Sequence, residues 1–248
     1  TQETCYTNLD YILKPGDVCL DVGANIGLYT YKMSKLVKKK GKVLSFEPIN
    51  IAYKQIRLIE KKYNLNNCKI FNFALGHQKK DTEMLIPIKN NLPQIGFSHV
   101  KTIKYQPNST NSNKYKKSFF YKMNFGYKQK TKIELIDHII PKYKLKKIDY
   151  IKIDVEGYEI NVIKGAFKTI KKYRPIIQSE IFYSKKNQTK MLKFFKSIEY
   201  CFFYPENKKL IQIHNWKTIR KVSNYYLIPK EKLNILKKRI YKYLTTTF

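Results

Sequence analysis

The chain has 248 residues, a length that suits one α/β domain able to bury roughly 70–75% of the surface that it exposes when unfolded. It contains no signal peptide and no run of 18 apolar residues, so we expect no transmembrane segment. Its four cysteines match no metal-binding spacing and favour a cytoplasmic or other reducing compartment. Because the chain begins at Thr1 rather than at methionine, we expect it to be a portion of a longer polypeptide.

The formal net charge of +32, from 50 Lys and Arg against 18 Asp and Glu, leaves two interpretations open. A strongly basic chain can bind polyanions such as nucleic acids. Lysine, however, greatly outnumbers arginine, the usual residue of phosphate and base recognition, and the lysines are spread along the whole chain. This distribution favours a solvated surface shaped by AT-rich codons, and nucleic-acid binding stays open as the second interpretation.

The first part of the chain carries a nucleoside-binding pattern. After a predicted helix over residues 4–14, the apolar run over 18–22 predicts a buried strand, a glycine-bearing turn follows, and Ile26 and Tyr29 begin the apolar face of a helix. A second strand over 42–46 ends on Glu47, about 20 residues past the turn. In βαβ units of this layout, glycines let the backbone approach the ligand, and the acid after the second strand holds the ribose hydroxyls.

The turn itself, Asp21-Val-Gly-Ala-Asn-Ile-Gly27, discriminates between nucleosides. Asn25 stands where a dinucleotide fingerprint has the glycine that makes room for a pyrophosphate, which argues against NAD. An acid at position 21 disfavours a bound phosphate and suits a cation. We therefore predict S-adenosylmethionine, which carries a sulfonium and an ammonium group and no phosphate. The alternative is that Gly23 and Gly27 only permit a tight turn and close helix packing.

Downstream, strand and helix patterns alternate, which predicts an α/β fold with a doubly wound, mostly parallel, Rossmann-like sheet and an antiparallel hairpin at one edge. A middle insert over residues 89–130, with a flexible polar loop near 108–114, is where we expect a substrate-specific surface. The predicted strands span 69–74, 82–88, 131–137, 148–154, 174–180, 200–204, 209–213 and 224–228, and the predicted helices start at residue 50 and cover 160–170 and 186–198.

Acidic residues stand at the carboxyl ends of four predicted strands. Because ligands of doubly wound sheets lie outside these ends, we expect the four acids to converge on one edge. Lys152 is two residues from one of them, so the two side chains share a face of the strand. A lysine inside an apolar strand is costly unless it is paired, so we expect an ion pair with residue 154, 156 or 180. The four acids are Asp21, Glu47, Asp154 and Glu180.

Three motifs together resemble the FkbM family of S-adenosylmethionine-dependent methyltransferases: Asp21–Gly27, Glu47-Pro48 and Ile151-Lys-Ile-Asp-Val-Glu-Gly157. The resemblance continues through 175–180 and 224–229, so it covers nearly the whole chain in the expected order. It implies a class I methyltransferase fold as a single domain over residues 1–248, with a seven-stranded sheet whose last strand pair is antiparallel. It also implies methyl transfer to an oxygen, often a hydroxyl of a sugar or of a glycosylated product.

The resemblance also implies roles for individual residues. The glycine-bearing turn would line the methionine end of the cofactor, Glu47 would bind the ribose hydroxyls, and the segment at 74–75 would flank the adenine. The predicted cofactor-binding set is Asp21, Gly23, Ala24, Asn25, Gly27, Glu47, Pro48, Ala74, Leu75 and Asp154.

A sugar hydroxyl is a weak nucleophile, so a base that accepts its proton accelerates methyl transfer. We predict Asp154 as this base, with Lys152 and Glu180 as catalytic partners and Lys152 lowering the pKa of the acceptor hydroxyl. The alternatives are a structural Lys152–Glu180 ion pair and a helix cap at Asp154 or Glu156. Asp154, Glu156 and Glu180 could also supply oxygen ligands to a divalent metal, although their spacing does not demand one.

The leading prediction is therefore an S-adenosylmethionine-dependent O-methyltransferase that acts on a carbohydrate or glycan hydroxyl. Two alternatives stay open. An RNA ribose 2′-O-methyltransferase would have Asp154 and Glu180 in comparable places and would use the basic charge to bind the RNA backbone. A non-catalytic basic module that binds nucleic acid or a partner protein is the third hypothesis, although the intact first motif argues against loss of the cofactor.

Overall fold

The computed structural model describes residues 2–101, 125–180, 185–206, 209–213 and 224–246, and it is an α/β protein with two sheets. The predicted flexible loop near 108–114 lies outside these residues. The described strands are β1 Val18–Val22, β2 Lys42–Phe46, β3 Cys68–Phe71, β4 Ala74–Leu75, β5 Lys80–Lys89, β6 Leu92–Pro93, β7 His99–Val100, β8 Gly126–Glu134, β9 Tyr150–Ile153, β10 Ile176–Ser179, β11 Tyr200–Glu206, β12 Lys209–Gln212 and β13 Tyr225–Pro229. The described helices are α1 Gln2–Ile12, α2 Leu28–Val37, α3 Asn50–Lys62, α4 Ile136–Lys142, α5 Glu159–Lys164, α6 Phe167–Tyr173, α7 Lys185–Ser197 and α8 Leu233–Thr246.

The main sheet has the strand order β12-β11-β13-β10-β9-β1-β2-β3. The five strands from β10 to β3 run parallel, whereas β13, β11 and β12 form an antiparallel edge. The α/β class, the mostly parallel sheet and its antiparallel edge are thus confirmed. The predicted count of seven strands is wrong, because in the described part of the chain β12 pairs with β11 and adds an eighth.

Helices cover both faces of this sheet, which is why its central strands are buried along their whole length. Leu9 of α1, Met33 of α2 and Leu236 of α8 pack on one face. Val162 of α5 and Phe195 of α7 pack on the other. In the part of the chain that the structure covers, no helix is long and apolar enough to span a bilayer.

A second sheet, of order β4-β8-β5-β6 with β7 also paired to β5, leaves the main sheet after β3 and returns before β9. The sequence predicts extended segments at 82–88 and 131–137. The strands are β5 and β8, and β8 ends at residue 134 because α4 begins two residues later. Met84 and Ile133 of this sheet share one core cluster with Leu20 of β1, so the second sheet packs against the same core as the main sheet.

The single helix predicted over 160–170 is divided into α5 and α6 at Gly165. A Cβ added at Gly165 would stand 1.8 Å from the carbonyl oxygen of Gly76, so the chain passes a neighbouring backbone closely at this point. The break turns α6 relative to the predicted helix. Phe167, predicted on the buried face, is 40% exposed, whereas Ile170 is fully buried.

Candidate active site

A cavity of about 420 Å³ opens at the carboxyl edge of the parallel strands. Register places it there: Val22, the last residue of β1, pairs with Phe46 of β2 and with Ile153 of β9, so the loops that follow these strands start side by side. Met84 and Val100 of the second sheet cover it. The predicted site residues that line it are Gly23, Ala24, Asn25, Glu47, Pro48, Ala74, Leu75, Lys152, Asp154 and Glu156.

In the first loop, residues 23–27 between β1 and α2, three backbone amides donate hydrogen bonds within the protein. The N–H groups of Gly23 and Ala24 both donate to the carbonyl of Phe46, at 3.0 and 3.1 Å. The N–H of Asn25 donates to Glu47 Oε2 at 2.8 Å. Phosphate-binding loops, in contrast, point free amides at their ligand. These three amides therefore offer no phosphate cradle.

Gly23 is the point at which the first loop meets the second loop, residues 154–158 between β9 and α5. Its φ of 77° lies in the left-handed region, and an added Cβ would stand 1.8 Å from the carbonyl oxygen of Asp154. Glycine is needed here for both reasons, since a side chain would strain the backbone and displace the neighbouring loop. The close approach fixes the spacing between the loop that precedes α2 and the loop that carries Asp154.

Glu47 presents a nearly buried carboxylate to the cavity. Its Oε2 accepts the N–H of Asn25 and its Oε1 accepts the N–H of Ile49, both at 2.8 Å. Burial raises the pKa of Glu47 to about 7, and the two amides only partly oppose this rise. An ionised carboxylate has about four lone-pair sites, so two remain for a ligand.

Lys152 and Asp154 form an ion pair on the cavity wall. Lys152 Nζ donates to Asp154 Oδ2 at 3.1 Å, lies 3.9 Å from Asp21 Oδ1 and stands 4.7 Å from the ring centroid of Tyr29. Its side chain is 5% exposed, and that of Asp154 is 25% exposed. Burial alone would lower the pKa of Lys152, but Asp154 and Asp21 together raise it above its ordinary value. Lys152 is therefore a permanent ammonium that faces two carboxylates.

Comparison with known proteins decides the family of this chain. The methyltransferase FkbM domain family matches residues 21–215. The chain belongs to this family. It is therefore a methyltransferase domain, as its sequence predicts. A search of curated proteins gave no match for this FkbM domain.

Solved structures show what the fold resembles. A methyltransferase FkbM from Methylobacillus flagellatus KT has 14% identity and a TM-score of 0.52 over 87% of this chain, which spans about half of that structure (48%). This likeness supports the fold alone. Two further structures have TM-scores below 0.5. A putative rRNA-methylase from Clostridium thermocellum has 13% identity and a TM-score of 0.49, over 91% of this chain and 92% of that one. A putative methyltransferase from Streptococcus mutans, in complex with SAH, has 13% identity and a TM-score of 0.47, over 91% and 95%.

Three predicted site residues of the FkbM domain do not line the cavity. Asp21 is fully buried beneath it, where its Oδ2 accepts the hydroxyl of Thr30 at 2.6 Å. Gly27, with a φ of 88°, precedes α2, and its Cβ would meet Ile56 at 3.1 Å, so its observed contact is close helix packing. Glu180 comes directly after β10 and is not among the residues that line the cavity. Its burial, and to a smaller extent the neighbouring acids, raise its pKa to about 8.

The second loop of the FkbM domain is held by an acid that the sequence analysis did not single out. Glu159 Oε1 accepts the N–H groups of Gly157 at 3.0 Å and Val155 at 3.3 Å. Burial raises the pKa of Glu159 to about 7. The residue that immediately precedes α5 is Tyr158 rather than Asp154 or Glu156, and its side chain makes no cap.

The sequence also misses several residues that line the cavity. Tyr29 lines it and contacts Lys152, although its helical spacing places it on the core face of α2. Phe73 lies beside the segment at 74–75, in an aromatic cluster with Phe46 and Phe71. From the insert, Phe97 and Ser98 line the cavity, and the buried hydroxyl of Ser98 has no hydrogen-bond partner within the described ranges. No local pattern marks residues that reach the cavity through a second sheet.

A metal site is not supported by this geometry. In the ranges given for the fold, no group of three or more His, Cys, Asp or Glu side chains is arranged to hold a metal ion. Asp154, Glu156 and Glu180, the candidate ligands from the sequence, all lie within these ranges. Lys152 occupies one oxygen of Asp154 instead, and its ammonium would repel a divalent cation.

Proposed function

We propose that this FkbM domain transfers a methyl group from S-adenosylmethionine to a hydroxyl oxygen of a neutral acceptor, for which a sugar or glycan is the leading candidate. One observation carries the proposal: the cavity presents carboxylates after β2 and β9, the two strands that flank β1, while the amides of residues 23–25 are bonded internally. This chemistry suits a cationic nucleoside without phosphate and disfavours a dinucleotide.

The lining residues fit the parts of this cofactor. Glu47 would accept the ribose hydroxyls at the lone pairs that its two amides leave. Phe73, Ala74 and Leu75 offer an apolar wall to the adenine, with Pro48 beside them. The loop at 23–25 would hold the methionine end close to Asp154, because Gly23 and Asp154 are in contact. When bound, the cofactor supplies an electrophilic methyl group and a neutral thioether leaving group.

Asp154 is the proposed general base. Lys152 holds its Oδ2, so its other oxygen is available to the proton of an acceptor hydroxyl in the cavity. The proton passes to Asp154 as the hydroxyl oxygen forms its new bond to carbon. Alignment of the reacting groups contributes roughly 7–11 kcal/mol to lowering such barriers, and the base adds about 10²–10⁴-fold in rate.

The charges around the cavity favour a neutral acceptor over RNA. Among the described lining residues, Glu47, Asp154 and Glu156 are acidic and Lys152 is the one cation, already paired. A phosphate backbone that approached this mouth would meet repulsion, whereas a sugar hydroxyl would not. The net charge of +32 is thus separated from the local charge at the reaction centre.

The test is incubation with labelled S-adenosylmethionine and a panel of monosaccharides, glycans and capped RNA, with and without EDTA. We expect label on a neutral glycan and no effect of EDTA. Asp154→Asn should lower kcat by about 10²–10⁴-fold while the dissociation constant for S-adenosylhomocysteine stays within about twofold.

The matched control is Asp149→Asn, which removes a carboxylate at the opposite end of the same strand, where it binds Lys147 and the N–H of Val18. It should leave kcat unchanged. Full turnover by Asp154→Asn would remove the assignment of the base, and label on RNA alone would replace the acceptor class.

A further inference from the structure

One row of residues in register across the main sheet, from β2 to β13, is polar, although these strands are otherwise mostly apolar. Asp21 pairs in register with Ser45 on one side and with Lys152 on the other, Lys152 pairs with Gln178, and Gln178 pairs with Tyr226. Each of the five is at most 4% exposed. Residues in register point to the same face of a sheet, so these side chains form one buried polar row.

Helix α2 covers this polar row and is bonded to it. Thr30 donates its hydroxyl to Asp21 Oδ2 at 2.6 Å and lies 2.8 Å from the hydroxyl of Ser45. Tyr29, one residue earlier, places its ring against the ammonium of Lys152. At the far end, Gln178 Oε1 accepts the hydroxyl of Tyr150 at 2.6 Å. The row is therefore an ordered network that includes Lys152.

Within this polar row, the carboxylate of Asp21 has one cation near it, the ammonium of Lys152. Its Oδ2 accepts the hydroxyl of Thr30, while its Oδ1 accepts no hydrogen bond from any residue that the structure describes and lies 3.9 Å from Lys152 Nζ. A buried carboxylate is costly unless a cation offsets it, and replacing such a group by apolar residues is often stabilising. Asp21 lies beneath the cavity rather than in its lining, so it meets Lys152 and not the ligand.

We propose that Asp21 is a positioning residue that acts through Lys152 on Asp154, and is not a contact of the cofactor. Asp21 and Tyr29 hold the ammonium of Lys152 charged and in place, and Lys152 in turn holds one oxygen of Asp154. The other oxygen then faces the acceptor in a fixed direction. This inference rests on the proposed function because it takes Asp154 as the base.

The experiment compares Asp21→Asn, Thr30→Val and Thr30→Ser with wild type. Three quantities are measured: the dissociation constant for S-adenosylhomocysteine by calorimetry, kcat at saturating cofactor, and the titration of Lys152 by ¹³Cε NMR, assigned with Lys152→Arg. Asp21→Asn should keep the dissociation constant within about twofold and lower kcat by about 10²-fold, because displacements of about 1 Å near a reaction centre have such effects. The pKa of Lys152 should fall by about 1–3, since one opposite charge within about 4–6 Å is lost.

Thr30→Val should change kcat and the Lys152 titration in the same direction, and Thr30→Ser, which keeps the hydroxyl, should restore both. The control is Ser34→Ala, which removes another buried hydroxyl of α2, bonded to Asn67 at 2.6 Å. It should lower the thermal midpoint and leave kcat and the Lys152 titration unchanged.

A tenfold or larger loss of cofactor affinity in Asp21→Asn with normal kcat would overturn the inference. If wild type methylates no acceptor, the proposed function fails, and an unchanged Lys152 titration in Asp21→Asn then overturns this inference separately. If Asp21→Asn does not fold, the Thr30→Val and Thr30→Ser pair decides by the same criteria.

Discussion

Gly23 sets the distance between the loop that precedes α2 and the loop that carries Asp154. Gly23→Ala should weaken cofactor binding at least tenfold, because the new Cβ would overlap the carbonyl oxygen of Asp154 and push the two loops apart. Gly16→Ala separates this clash from backbone strain. Gly16, with a φ of 88°, lies in the left-handed region as Gly23 does with 77°, but nothing lies within 4 Å of its Cβ position. It should cost about 1–2 kcal/mol in the free energy of unfolding and leave cofactor affinity unchanged. Calorimetry and thermal melts measure both, and equal affinity losses would contradict the contact argument.

Glu47 should make cofactor binding depend on pH. Its pKa of about 7 means that it is partly protonated at neutral pH, whereas ribose hydroxyls donate to the ionised form. Affinity should therefore rise as the pH increases through about 7, and binding should release a proton. In Glu47→Gln, affinity should be low and independent of pH.

The matched control for this prediction is Glu60→Gln, on α3, which removes a carboxylate paired with Arg57 outside the cavity. It should keep the pH dependence of wild type. Calorimetry in two buffers of different ionisation enthalpy measures the proton released, and a flat profile in wild type would contradict the assignment of Glu47.

At the scale of elements, the short 3₁₀ turn Ile95–Phe97, which connects β6 and β7 of the second sheet, is expected to contribute to acceptor binding. Phe97→Ala should raise KM for the acceptor by about 10–100-fold, since burial of an aromatic side chain contributes about 1.5–3 kcal/mol. Phe97 lines the cavity and is 41% exposed, so it has surface left to bury against an acceptor. Cofactor affinity should not change. Leu92→Ala, which removes an exposed apolar side chain of β6 outside the cavity lining, is the control. If the two variants raise KM for the acceptor equally, the turn that carries Phe97 does not contact the acceptor.

The elements that follow local periodicity could be predicted, and those that depend on distant contacts could not. The strand at 18–22, the strand at 42–46 and the glycine turn between them follow from apolar runs and glycine placement. The division of the helix at Gly165 depends on the backbone of Gly76, and no pattern in either segment shows that they meet. Glu47 and Asp154 could be placed at the cavity because parallel strands end at one edge. Lys152 of β9 lies beside Asp21 of β1 because of the strand register, and the alternation of side chains alone does not fix that register.

For the whole molecule, the basic charge and the acidic cavity make opposite demands on a ligand. If the acceptor is neutral, kcat/KM should change less than about twofold between 50 and 200 mM salt, because no counterions are released. If a phosphate backbone binds, the affinity should fall by about 10³–10⁵-fold over the same range. The measurement is kcat/KM for each labelled acceptor across this salt series. A steep decline for a glycan would indicate that the lysines take part in its recognition.

The second sheet enters the fold after β3 and leaves it before β9, and the polar row that holds Lys152 lies wholly in the main sheet. The proposed base and its partners are therefore carried by different stretches of the sequence from the strands of the second sheet. The two parts are nevertheless joined, because Met84 and Ile133 of the second sheet share one core cluster with Leu20 of β1. A chimaera that receives residues 80–134 from another protein should therefore fold only if it keeps apolar side chains at these two positions.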